Sequence, residues 1–145
     1  MTVMRKRMSR VGAACASLVA VAGLGFGSGA AHAEPAAGQQ VRYSVTVAGA
    51  YPVELFYLVS QPPSMEAYNA DPYAFMKRET LNLDPGTPWV FETTLADPQW
   101  AILSVSSTTR GMQAAPNPHC DIAIDGQVAV QQDAPYNPRC QLTKW

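Results

Sequence analysis

Polar and apolar residues alternate without a break over residues 41–48, VRYSVTVA: Val41, Tyr43, Val45 and Val47 take one parity, Arg42, Ser44 and Thr46 the other. Successive side chains of a strand point to opposite faces, so this segment reads as a half-buried β-strand. Residues 49–52 turn the chain, and residues 53–59, VELFYLV, are apolar on both parities apart from Glu54. That is the pattern of a central strand covered on both sides, and its Val, Phe and Tyr content favours strand over a short helix. Residues 78–83, RETLNL, predict a short strand closed by the turn Asp84-Pro85-Gly86. In residues 88–95 Trp89, Phe91 and Leu95 share one parity and Glu92 and Thr94 the other. Residues 99–107 place Ala101, Leu103 and Val105 inward, opposite Ser104 and Ser106, and Trp100 shares the serines' parity, which puts it at the surface.

The C-terminal part organises the rest. Two apolar runs, residues 120–124 and 127–130, flank Asp125-Gly126, which supplies the positive-φ pair that a two-residue type I′ turn needs. After a second turn cluster, residues 133–138, Cys140 can return beside Cys120 and close a ring over the hairpin. In a regular hairpin of this kind Ile124 pairs with Gln127 and Ile122 with Ala129, so Val128 and Val130 fall on the face opposite the isoleucines. Either both faces are covered or a bulge shifts the register.

Residues 62–77, PPSMEAYNADPYAFMK, break the strand rhythm. Ser64 can cap a helical turn over residues 65–68, and Asp71-Pro72 ends it. This insertion holds Met65, Tyr68, Tyr73, Phe75 and Met76, which serve either as a lid folded onto the sheets or as an exposed contact patch for a partner or apolar ligand. Residues 108–118 are a Gly and Pro rich crossover. The chain therefore predicts an all-β, immunoglobulin-like antiparallel β-sandwich of about seven strands with one disulfide, occupying residues 41–145 behind a linker at 34–40.

Residues 1–33 carry the marks of an export signal: Arg5, Lys6, Arg7 and Arg10, then an uncharged stretch, then Ala31-His32-Ala33 at a cleavage position. The competing reading keeps the uncharged stretch as a membrane anchor, although its length counts in Gly23, Gly25, Gly27 and Gly29. Cys15 lies too near the basic end for a lipidation site. Beyond residue 33 the bases Arg42, Lys77, Arg78, Arg110, Arg139 and Lys144 face all 11 acids of the chain, so no basic cluster awaits nucleic acid or anionic lipid. Removing Cys15 with the leader leaves Cys120 and Cys140 as an even pair in an exported protein, the setting in which disulfides persist.

Little asks for catalysis. His119 has Cys120 and Asp121 beside it, but a disulfide cysteine is neither nucleophile nor ligand, and one His with one Asp is too few for a closed metal site. Glu54 reads as a strand-end carboxylate with its head in water, and no phosphate loop or Gly-x-Ser-x-Gly elbow is present. No cofactor is expected. Phe56, Trp89 and Phe91 are read as sandwich core, while Tyr136 and Trp145 lie near the staple and the terminus.

The order of parts resembles the MmpS family, small mycobacterial membrane proteins accessory to MmpL transporters. The residues that carry the resemblance are the N-terminal hydrophobic segment, Tyr43-Ser44-Val45-Thr46-Val47, the Trp89 and Phe91 strand, Cys120-Asp121-Ile122-Ala123-Ile124-Asp125-Gly126 and Cys140. The resemblance implies a cell-envelope β-sandwich with one disulfide that assists lipid or siderophore export beside an MmpL-type membrane transporter. Ala31-His32-Ala33 departs from the family's retained anchor, and the insertion is longer than the family's connection there. The alternative is a soluble secreted module for an apolar small molecule, marked by a cavity lined by Phe56, Leu58, Trp89 and Phe91.

Overall fold

A computed structural model describes residues 37–145; the export signal, its anchor alternative and the start of the linker lie outside the described residues. Eight strands form: β1 (Gln39–Thr46), β2 (Tyr51–Leu58), β3 (Met76–Leu83), β4 (Trp89–Leu95), β5 (Ile102–Ser107), β6 (His119–Ile124), β7 (Gln127–Asp133) and β8 (Arg139–Gln141). They make two antiparallel four-stranded sheets, ordered β4-β1-β6-β7 and β3-β2-β5-β8. The described residues thus form an all-β sandwich of eight strands, against the about seven expected from sequence.

The alternating strand β1 lies in the middle of one sheet, paired with β4 and β6, and the apolar strand β2 in the middle of the other, paired with β3 and β5. Their inward residues, Val41, Tyr43 and Val45 from one sheet and Val53, Leu55 and Tyr57 from the other, are buried with Leu103, Val105 and Ile122 in a single core. Two facing sheets bury alternate residues of each strand and leave the rest to the outer faces. Pro52 is tolerated in β2 because the β5 ladder starts only at Val53, so its missing N–H breaks no bond on that side.

Cys120 on β6 is bonded to Cys140 on β8, with the Cα atoms 6.1 Å apart. Since β6 and β8 belong to different sheets, the bridge ties the layers together at one edge of the sandwich. Asp125 and Gly126 adopt φ of 49° and 83°, the two positive values of a type I′ turn. The register conflict at this hairpin is resolved by a bulge: Ala123 pairs with Val128 and Ile122 with Val130, so Ala129 has no partner. Val130 is thereby turned to the side of Ile122 and packs against the core, while Val128 stays 58% exposed.

Three expectations need correction. The linker predicted over residues 34–40 joins the sheet at Gln39, because the Asp125 carboxylate reaches back: its Oδ2 accepts from Gln39 Nε2 at 2.9 Å and its Oδ1 from the Gln40 backbone N–H at 3.0 Å. Trp100 is buried, not exposed. Asp97 accepts from the Gln99 N–H and caps a 3-10 turn over Pro98–Trp100, so the strand parity starts only at Ile102. Phe56 lies on the outer face of its sheet, because the inward places of β2 are taken by Val53, Leu55 and Tyr57.

Candidate functional site

The outer face of the β3-β2-β5-β8 sheet collects the side chains best suited to recognition. Phe56 is flanked by Arg78 on β3 and Ser104 on β5, and Glu54 by Thr80 and Ser106. An Arg78 guanidinium nitrogen donates to Glu54 Oε2 at 2.7 Å, and this bond, more than the charge attraction, raises the guanidinium pKa. Both partners are well exposed, so the pair positions the two heads and contributes little to stability. Tyr73 leans over from the insertion and meets Phe56 edge to face, ring centres 6.2 Å apart, with 68% of its surface in water. Together Glu54, Phe56, Tyr73, Arg78, Ser104 and Ser106 line an open depression of about 280 Å³.

The insertion that carries Tyr73 is held by specific bonds. Ser64 caps α1 (Met65–Ala70), its Oγ accepting from the Ala67 N–H at 3.1 Å, and a 3-10 turn follows over Pro72–Ala74. The Phe75 carbonyl then accepts from the N–H groups of Val59 and Ser60, closing the segment onto the end of β2. No residue of α1 is buried, and its main aromatic contact is Tyr68 against Trp145, 4.8 Å edge to face. Trp145 is fixed in turn by donating from Nε1 to the Trp100 carbonyl at 2.8 Å and by packing edge on against the Trp100 ring. Met76, Leu58 and Ile102 share the outward parity of Phe56 yet are buried in the core cluster, with Tyr68 and Phe75 packed against it. The insertion therefore divides its five apolar residues: Tyr68, Phe75 and Met76 turn toward the body, Met65 and Tyr73 toward water.

The other candidates are dispersed. Trp89 and Phe91 lie at the opposite edge of the sandwich from the disulfide and close on Tyr57, each 4.9 Å from its ring centre. Phe56 points away from this cluster, so Phe56, Leu58, Trp89 and Phe91 do not line a common cavity. The Tyr57 hydroxyl donates to Glu79 at 2.8 Å, and burial, reinforced by that carboxylate, pushes its pKa up to about 12. Burial also raises Tyr43, whose hydroxyl lies toward the Ile102 backbone amide but short of hydrogen-bond geometry, leaving it without a partner among the described residues. His119 Nδ1 is 2.9 Å from Asp133 across the β6–β7 ladder, while Cys120 beside it is in the disulfide. Asp121 is opposite Gln131 on the same ladder, and Tyr136 is exposed at the β7–β8 turn. Among the described residues no three His, Cys, Asp or Glu side chains are grouped to hold a metal ion.

Sequence reading missed this face because VELFYLV is apolar on both parities, but Glu54 marks it. Because β2 starts at Tyr51, Glu54 lies in mid-strand and not at the strand end expected from sequence, and a carboxylate there identifies its own parity, and Phe56 with it, as the side that meets water.

Residues 43–140 match the family described as the Rv2576c beta-sandwich domain. Protein Rv2576c of Mycobacterium tuberculosis strain H37Rv and protein Mb2606c of Mycobacterium bovis, both described as uncharacterized, are each 39% identical to this chain over 116 residues, 79% of this chain and 73% of theirs. This corrects the resemblance to the MmpS family: the matching family is the Rv2576c one, and the transporter-accessory role that the resemblance implied goes with it. The residues that suggested MmpS, Cys120 to Gly126 and Cys140, form a hairpin stapled across two sheets.

Proposed function

This chain belongs to the Rv2576c beta-sandwich domain family, and from that premise we propose that it is a non-catalytic recognition domain working outside the cytoplasm, in the cell envelope or beyond it. The disulfide supports the compartment, since such bonds persist where the surroundings are oxidising. The observation that carries the recognition reading is the exposed Tyr73 ring set against Phe56 beside Arg78. Tyr and Arg combine apolar area with directional donors and dominate the energetics of contact surfaces. Here they stand on a two-sheet scaffold that fixes all but Tyr73 within strands. Non-catalytic contact also accords with the ion pairs among the described residues, which are ladder-bound or exposed: His119 with Asp133, Arg78 with Glu54, Lys77 with Glu79, and Lys144 with Asp97.

The test is sedimentation of the purified domain with isolated envelopes of its native host. Binding is expected to be saturable and to fall at least about tenfold in Tyr73→Ala, roughly 1.4 kcal/mol, while Val90→Ser on the other sheet leaves it unchanged. Equal loss in both variants, or no binding by the parent, refutes the reading.

A further inference from the structure

We propose that the depression around Phe56 and Tyr73 binds a neutral saccharide, one ring-sized unit of an envelope or extracellular glycan. This deepens the recognition reading and rests on it. The class follows from what the lining offers at once. Tyr73 and Phe56 present aromatic carbon, whose electron-rich faces attract the C–H groups that a sugar ring exposes on one side. Around them stand Arg78, a donor with four N–H groups beyond the one given to Glu54, Glu54, an acceptor with an oxygen to spare, and the Ser104 and Ser106 hydroxyls, which do both. A polyhydroxylated ring needs that mixture of donors and acceptors on its rim and an apolar platform under its flat side.

Other ligand classes fit less well. The Arg78 charge is already matched by Glu54 at 2.7 Å, so neither a phosphate nor an ammonium group finds an unpaired opposite charge. A purely apolar ligand would desolvate two charged heads and two hydroxyls without satisfying them. The depression holds about 280 Å³, below the usual drug-sized pocket and suited to one small ring. Its openness to solvent also suits a unit within a longer chain that enters and leaves along the surface.

The experiment is an amide and aromatic NMR titration of the domain with defined neutral oligosaccharides built on glucose, mannose, galactose and arabinose. At least one series is expected to give saturable shifts at Phe56, Tyr73, Ser104 and Ser106, and Tyr73→Ala to weaken that binding at least about tenfold. Tyr73 is exposed, so the substitution spares the core, and Arg78→Met serves as a second variant that removes rim donors and keeps the stem. Shifts confined to other faces, or no saturable shift from any member, overturn the saccharide. If envelope binding sensitive to Tyr73→Ala persists in that case, the recognition reading stands with a different partner; if it is absent too, both fall.

Discussion

Breaking the Cys120–Cys140 bridge removes the covalent tie between the two sheets and leaves β8 to hold by its three-residue ladder against β5, Arg139 to Gln141, and by flanking bonds such as Val105 N–H to the Pro138 carbonyl and Leu142 N–H to the Ala101 carbonyl. The perturbation is the double change of both cysteines to Ala, chosen over Ser because both positions are fully buried and a hydroxyl there would add an unpaired polar group. The bridge joins positions 20 apart in sequence, and closing a ring of about that size restricts the unfolded chain by ~3 kcal/mol. For a domain of this size each kilocalorie shifts the thermal midpoint by about 4 °C, so the midpoint is expected to fall by about 12 °C. Differential scanning calorimetry reads it, with the parent protein under reductant as a second route to the same state. Hydrogen exchange should find the amides of Leu103 and Cys140 losing protection before those of β1 and β2. A midpoint within two or three degrees of the parent refutes the reasoning, since neither the ring closure nor the inter-sheet tie would then contribute.

Three further outcomes are expected. Tyr43→Phe removes a buried hydroxyl that has no protein partner, so chemical denaturation should show stability unchanged or raised, by up to about 1–3 kcal/mol; a clear loss shows that the hydroxyl is satisfied in solution. The Asp125 carboxyl is held below its ordinary range, first by the Gln39 side chain and then by the Gln40 N–H. A depressed folded pKa means stability present above the unfolded value and lost as pH falls through the folded one. Exchange at the Gln40 amide should therefore accelerate in that acid window beyond the intrinsic pH trend, and Asp125→Asn should abolish the excess. Trp145→Ala takes away the aromatic contact of Tyr68, so the α1 amides should exchange faster while β1 and β2 keep their protection; unchanged α1 protection shows that the helix is held by other means.

The parts of the fold legible in the sequence were those set by local chemistry. Asp125-Gly126 can take two positive φ angles in succession at little cost, and the alternation from Val41 to Val47 has one reading as a half-buried strand. What escaped depended on partners distant in the chain. Gln39 and Gln40 look like linker until the turn carboxylate of Asp125, 85 or 86 residues away, bonds to them. The hairpin leaves two alternatives open in sequence, two covered faces or a bulge, and the bulge at Ala129 is the one that brings Val130 onto the core side of Ile122. Strand parity carried through Asp97-Pro98 puts Trp100 at the surface, whereas the side-chain cap there resets the backbone and buries it. The candidate face is half visible: Tyr73 stands out in the insertion, but only the register of β2 against β3 and β5 brings Phe56, Arg78 and Ser104 beneath it. The family is not legible for a related reason: two cysteines around an Asp-Gly hairpin report a stapled turn and do not by themselves identify one family.

The measurement that bears most directly on the central claim is hydroxyl-radical footprinting of the domain bound to envelopes of its native host, read residue by residue. Tyr73 and Phe56 should lose reactivity on binding while Tyr136 and Val128, exposed elsewhere on the sandwich, keep theirs. Protection of Tyr136 or Val128 with Tyr73 still reactive would contradict the account and move the recognition surface off the β3-β2-β5-β8 sheet.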